Sequence, residues 1–387
     1  MKYKVVIAIA AIVVIVAGVA GYLYVSSPPA KSTSSPAPSS SPSPTSSTAP
    51  TSITLYGAGA TFPYPLLSQM ISHYQEQNSG AQISYQSIGS GGGISDLESK
   101  LVDFAASDAP LGPADMAKAP SALHIPETIG AVTIAYNLPG ISTGLRLTGK
   151  VIADIFAGNV TMWNDPEIQN LNTNTTLPAK SITTIHRADG SGTTFIFTGY
   201  LCVSSLAWNE TIGQGKTVSW PVGLGASGNT GVAEDVNNTQ YTIGYVELAY
   251  ALQNAMTVAA VQNPAGNWIL PSLNTIQLAV QVAASSGLPA GNQSWTNVSL
   301  LNANDPQAYP IVSFTYLLVY QELSVVPGMT QSKATALVQF LWWVVQPNGG
   351  QQYSSGLEYV PLPTNVVQID ETTIQSITFN GQHLPTS

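Results

Sequence analysis

The sequence predicts an α/β fold built around mostly parallel sheets, and three observations carry that reading. Short apolar or β-branched runs alternate with segments of helical periodicity along most of the 387 residues, the pattern that βα units produce. Three of the strand-to-helix junctions share one layout, a turn rich in Gly, Ser and Thr. The length allows two or three domains with sizeable cores, at roughly 100–200 residues per domain.

The first element stands outside that fold. Lys2 and Lys4 precede an uncharged apolar run from Val5 to Val25. About 20 apolar residues span a bilayer core, whereas a cleavable signal has an apolar stretch of about 7–15. The length favours a retained transmembrane anchor over 1–25, with a small-residue site near Gly18-Val19-Ala20 keeping cleavage open. The two lysines favour a cytoplasmic N-terminus, which places everything beyond Val25 outside. Residues 26–52 are almost wholly Ser, Pro, Thr and Ala. Such a tract cannot offset its ordering entropy and reads as a disordered linker or stalk. Six Asn-x-Ser/Thr sequons, at Asn159, Asn174, Asn209, Asn237, Asn292 and Asn297, suit a glycosylated cell-surface protein, or chance in an Asn- and Thr-rich chain.

From Ile53 the periodicities set the order. Ile53–Tyr56 is strand-like, and Leu67, Met70, Ile71 and Tyr74 then fall on one helical face. A second strand is expected over Ile83–Ser87, followed by a helix carrying Ile94, Leu97 and Leu101. Phe104-Ala105-Ala106 reads as a third strand, and Ile129–Tyr136, Ile182–His186 and Val312–Tyr320 as further ones. Thr335–Val345 reads as a buried helix whose tryptophans serve the core.

Composition excludes several functions. With 11 Lys+Arg against 20 Asp+Glu, the chain lacks the basic face that nucleic acid requires. The single cysteine, Cys202, rules out an internal disulfide framework and a Cys-rich metal site. Four scattered histidines form no metal motif, so neither a metal nor a cofactor is expected. Charged residues make up only 8% of the chain, which suits an acidic exterior or reflects neutral drift.

The chemistry concentrates in the three turns. They are Gly57-Ala58-Gly59-Ala60-Thr61-Phe62-Pro63, then Gly89-Ser90-Gly91-Gly92-Gly93, then Arg187-Ala188-Asp189-Gly190-Ser191-Gly192-Thr193-Thr194. A helix N-terminus presents unpaired N–H groups and a partial positive charge, so each turn is either a plain cap or part of an anion site. The third turn adds Arg187, one of two arginines in the chain, which can grip an oxyanion with a forked pair of N–H groups. Asp189 stands close enough in sequence to hold that guanidinium in place. GSGTT lacks the lysine of a P-loop, and no GxSxG elbow occurs. Ser90 and Ser191 therefore read as donors, with no base to make them nucleophiles.

These segments together resemble the phosphate-binding proteins of ABC transporters, the PstS type. The matching stretches are GAGATFPYP (57–65), SIGSGGG (87–93), VDFAASDAPL (102–111), GNVTMWNDPEI (158–168), HRADGSGTTFIFTGYL (186–201), WPVGLGASGNTGVA (220–233) and IGYVELAYA (243–251). The resemblance implies a two-lobed, periplasmic-binding-protein-like (type II) Venus flytrap with two crossings. One lobe would comprise 53–132 and 308–387, the other 133–307. Carried over residue by residue, phosphate contacts fall on Ala60, Thr61, Phe62, Ser90, Asp108, Arg187, Ser191, Gly192 and Thr193. The family often has Ser where Gly91 stands and Arg where His186 stands, and neither position is carried over as a ligand.

A carboxylate beside an anion repels it unless it accepts a proton from it. Phosphate near neutral pH still carries a proton and sulfate does not, so Asp108 reads as a device that rejects sulfate. The resemblance thus implies an extracytoplasmic, monomeric, non-enzymatic solute-binding protein that delivers inorganic phosphate to an ABC permease and ATPase complex. Rival readings are another oxyanion (sulfate, molybdate or arsenate), a surface phosphatase using Ser90 or Ser191, and an adhesin on a glycosylated stalk.

Overall fold

The computed structural model describes residues 52–284 and 287–386. The expected anchor over 1–25 and the linker over 26–52, Ser52 apart, lie outside the described residues. Among the described residues no helix is long and apolar enough to cross a membrane.

The apolar runs become strands β1 (Ile53–Gly59), β2 (Ala81–Ser87), β3 (Phe104–Ser107), β4 (Ala122–Asn137), β5 (Arg146–Leu147), β6 (Thr183–Arg187), β7 (Leu224–Ala226), β8 (Thr242–Glu247), β9 (Thr257–Val258), β10 (Ala260–Gln262), β11 (Trp268–Ile269) and β12 (Val312–Tyr320). The main sheet has the order β2-β1-β3-β12-β4-β8-β6-β7, with β9 also on β4. Pairing is parallel on both flanks, where β1 joins β2 and β3, and β6 joins β7 and β8. At the centre it is antiparallel: β12 against β3 and β4, and β4 against β8. The sheet is therefore mixed where a mostly parallel one was expected, because the central pairs are not joined by a strand–helix–strand crossover that would force one direction.

β4 organises the molecule. Its residues 122–131 pair with β12 and its residues 132–137 with β8, so one strand runs from one lobe into the other. The architecture is two-lobed α/β. All but the last of its 16 residues are buried, as expected of a strand covered on both faces. The apolar signal marked only 129–136, because His124, Pro126, Glu127 and Thr128 interrupt the run although all four are buried.

Helices cover the sheet. Tyr64–Gln77 buries Leu66, Leu67, Met70, Ile71 and Tyr74 on one face, each aliphatic side chain contributing about 1.5–3 kcal/mol. The helix of Ile94 and Leu97 ends at Glu98, and Leu101 lies beyond it and 70% exposed. Lys100, at φ 58°, turns the chain away before Leu101 can join the helical face. Gln331–Val345 buries Leu337, Phe340, Leu341 and Val344, with Trp342 and Trp343 half-buried against the same core.

Candidate functional site

Three turns at the ends of β1, β2 and β6 converge on the junction between the lobes. The first is held by its carbonyls. Tyr85 donates its hydroxyl to the Ala60 carbonyl at 2.8 Å, Tyr250 to that of Thr61 at 2.7 Å, and Tyr359 to that of Phe62 at 2.7 Å. A carbonyl and the next N–H point opposite ways across one peptide plane. The N–H groups of Thr61 and Phe62 are thus turned away from the tyrosines, and among the described residues neither has a partner.

The second turn enters the helix Ser90–Glu98 through Gly89, whose φ of 87° suits a residue without Cβ. Ser90 is fully buried, its Oγ accepts the Asp108 N–H at 3.2 Å, and its hydroxyl also bears on the Asp108 carboxyl. The turn packs directly on the third one, where Gly91 donates its N–H to the Gly190 carbonyl at 2.7 Å.

The third turn carries the cation. The Arg187 side chain is 1% exposed and Asp189 takes it with both oxygens, Nε donating to Oδ1 at 2.7 Å and Nη2 to Oδ2. Its Nη1 donates to Thr193 Oγ1 at 3.3 Å. A guanidinium has five N–H groups, so about two remain for a ligand. Ser191 caps the helix Gly192–Ser204 by accepting the Thr194 N–H at 3.0 Å. The N–H groups of Gly192 and Thr193 have no partner among the described residues.

Asp108 closes the constellation. A Cβ built on Gly192 would lie 2.4 Å from Asp108 Oδ2 and 2.5 Å from Ser90 Oγ, so only glycine admits this approach. Its Oδ1 accepts the Thr315 hydroxyl at 3.1 Å. Burial pushes Asp108 up to about 7, against the pull of Thr315, Arg187 and Ser90. Asp189 goes the other way. Burial raises it too, but the bonds from Arg187 outweigh that and hold it below the usual carboxylate range.

The structure links Ser90 and Asp108 with Gly192, and Arg187 with Thr193 and Thr61, while Phe62 and Ser191 adjoin them in the chain and Asp189 pairs with Arg187. Ala60 differs, because its N–H donates to the Ala106 carbonyl at 2.8 Å and its carbonyl accepts from Tyr85. Sequence reasoning missed Asn229. Its amide donates to Thr61 Oγ1 at 2.8 Å and to Thr193 Oγ1 at 3.1 Å, and its carbonyl accepts the Glu247 N–H at 3.0 Å. A signal existed, since Gly225-Ala226-Ser227-Gly228 repeats the strand, turn and helix layout a fourth time. A cavity of about 240 Å³ lies beside these turns, lined by Tyr64, Ile88, Asp189, Ser227 and Gly228 together with Thr61, the one expected ligand contact among its lining residues. Among the described residues no group of three or more His, Cys, Asp or Glu could hold a metal.

Comparison with known proteins places this geometry. A family model described as a PBP superfamily domain matches residues 44–348. A phosphate-binding protein PstS of Pasteurella multocida is 41% identical over 321 residues, covering 81% of this chain and 88% of that protein. The chain belongs to the PstS family. The PstS of Methanocaldococcus jannaschii is 36% identical over 338 residues, with 84% and 86% covered. The solved structure of a periplasmic phosphate-binding protein, PfluDING, bound with phosphate, superposes with a TM-score of 0.66 at 20% identity. That match covers 87% of this chain and all of the other, and it shows the same fold. The two PstS relatives are named as binding proteins, not as enzymes.

Proposed function

We propose that this protein captures inorganic phosphate between its lobes outside the cytoplasm and hands it to an ABC importer. The observation that carries the reading is the meeting of Asp108 Oδ2 with Gly192 and Ser90, beside the paired Arg187. Unpartnered N–H groups of Thr61, Phe62, Gly192 and Thr193, hydroxyls of Ser90, Ser191 and Thr193, and the guanidinium supply attraction. Ala60 contributes by fixing the first turn. Asp108 supplies the filter, accepting the proton that phosphate has and sulfate lacks. The lobes are 53–132 with 308–387, and 133–307, and they close on the anion as a hinge.

Relatives named phosphate-binding protein PstS, 36–41% identical over more than four-fifths of the chain, support this reading. Calorimetric titration of the protein with phosphate and with sulfate tests it. Tight phosphate binding with sulfate weaker by orders of magnitude is expected; preference for sulfate, or no response to either, overturns it.

The finer placement is also ours. Residues 1–25 anchor the protein in the membrane, 26–52 act as a stalk, and the binding unit is a monomer carrying glycans on its surface. The asparagines of all six sequons are exposed, which is consistent with glycosylation. Membrane fractionation with N-terminal sequencing decides between a retained anchor and a cleaved signal.

A further inference from the structure

Thr315 stands between two buried carboxyl groups and has one proton to give. Its Oγ1 lies 3.1 Å from Asp108 Oδ1 and 3.2 Å from Glu127 Oε1. All three residues are at most 2% exposed. One hydroxyl cannot donate to both carboxylates, so one carboxyl must carry a proton and donate it to Thr315. The Arg187 charge acts on Asp108 and favours its charged form, while the charge that acts on Glu127 is Asp108 itself.

We infer that Glu127 is a positioning residue for anion selectivity: it keeps a proton and directs the Thr315 hydroxyl onto Asp108 Oδ1, leaving Oδ2 as the acceptor that reads the ligand. This rests on the phosphate reading of the site. With Glu127 neutral, its O–H donates to Thr315 and Thr315 donates to an ionised Asp108. Loss of that proton reverses the Thr315 bond, strips Oδ1 of its donor and adds a second negative charge behind the anion.

Burial pushes Glu127 up to about 8, aided by Asp108 and opposed by Thr315, and so above Asp108 at about 7. The other titratable groups that act on this pair are Arg187 at the end of β6, Asp189 just after it, Tyr85 on β2, Tyr250 after β8, Tyr316 on β12 and Tyr359 near the C-terminus. The four tyrosines are pushed upward by burial and Asp189 is held low, so neither they nor Asp189 titrate in the window where Glu127 does.

The test is calorimetry of the full chain with inorganic phosphate and with sulfate from pH 6 to 9.5. The proteins are wild type, Glu127→Gln, Thr315→Val and Thr315→Ser. Dividing the wild-type dissociation constant by that of Glu127→Gln at each pH cancels the titration of phosphate itself. The amide still donates to Thr315 but cannot ionise, so the ratio should climb roughly tenfold between pH 7 and 9. Thr315→Val should lower phosphate-over-sulfate selectivity by about tenfold, and Thr315→Ser should restore it. A flat ratio in a wild type that binds phosphate overturns the inference and leaves the phosphate reading standing. So does a Thr315→Val protein that weakens both anions by one factor. A wild type that takes neither anion, or prefers sulfate, removes the phosphate reading and this inference together.

Discussion

Two aspartates reach the cleft from opposite walls. Asp108 follows β3, is 2% exposed, and its carboxyl accepts a hydrogen bond from a hydroxyl but forms no ion pair. Asp189 follows β6, keeps about a fifth of its side chain exposed, and takes Arg187 in a fork. The first is pushed up to about 7 and the second held below its ordinary range. One residue type thus performs two tasks, and the surroundings decide which. The wall with Arg187 supplies charge and has its own carboxylate already committed. Among the described residues no cation pairs with Asp108, and its wall presents an acceptor instead. Attraction and discrimination are separable, and variants on the two walls should separate them.

The largest effect is expected on the charged wall. Arg187→Ala removes a buried cation and leaves Asp189 without its partner. Hydrogen bonds to charged groups contribute about 1.5–3 kcal/mol each, so affinity for phosphate and sulfate alike should fall by roughly 100-fold or more. Arg187→Lys should recover little, because a point charge cannot hold both Asp189 oxygens and still face the cleft. Calorimetry that finds affinity retained would break the comparison. Asp108→Asn comes next and should act differently. An amide can donate to an unprotonated oxygen, so sulfate binding should rise while phosphate binding weakens modestly. The selectivity ratio should fall by about 10–100-fold, matching the roughly 1–3 kcal/mol of an unmet buried acceptor. An unchanged ratio would remove the filter.

The same asymmetry has a consequence for stability without added anion. Asp108 and Glu127 hold protons in the folded state at about 7 and 8, where an unfolded chain has released them. A raised acid contributes stability that is present below its ordinary value and lost as pH rises through the folded one. Glu247 and Asp370, both fully buried, are raised in the same direction. His124 opposes them: burial lowers it to about 4, so its contribution is lost as pH falls from about 6.5 towards 4. Thermal unfolding followed by circular dichroism should show the midpoint climbing from pH 9 to about 6 by several degrees. A midpoint that rises towards pH 8 would mean these carboxyls are ionised.

Much of the candidate site was legible because its turns carry local signatures, with Asp108 picked out by the family resemblance. A glycine turn before a helix, an arginine two residues before an aspartate and an Asp-Ala-Pro turn can each be seen within a few positions. Their supports could not be seen. Tyr85, Tyr250 and Tyr359 bond to consecutive carbonyls from 25, 189 and 297 residues away. Thr315 reaches Asp108 across 207 positions. Each looks like an ordinary strand or helix residue until the fold brings it home. The fold shows the same division: the flanking βα units followed from periodicity, whereas β4 and β12 pair antiparallel at the centre through contacts no local pattern records. Burying Glu127 within β4 also breaks the apolar run that would have given its full length.

The smallest effect tests whether closure depends on the cleft or on its rim. Lys216 and Asp115 pair at 3.0 Å, joining the loop that follows the helix Leu206–Thr211 to the helix Pro113–Lys118, at side-chain exposures of 26% and 20%. The Lys216 carbonyl also accepts the Ser191 N–H at 2.8 Å, so this loop touches the third turn directly. A partly exposed pair contributes about 0.2–1 kcal/mol and is screened by salt. Lys216→Ala removes the charge but keeps the carbonyl, and should weaken phosphate binding only about two- to fivefold at low salt. The difference should vanish near 0.5 M sodium chloride, where the screening length is only a few ångströms. In stopped flow the loss should appear as faster phosphate release, since the pair joins two segments that opening would have to separate. A loss comparable to that of Arg187→Ala, or one that salt leaves untouched, would show that closure rests on the rim instead of the anion.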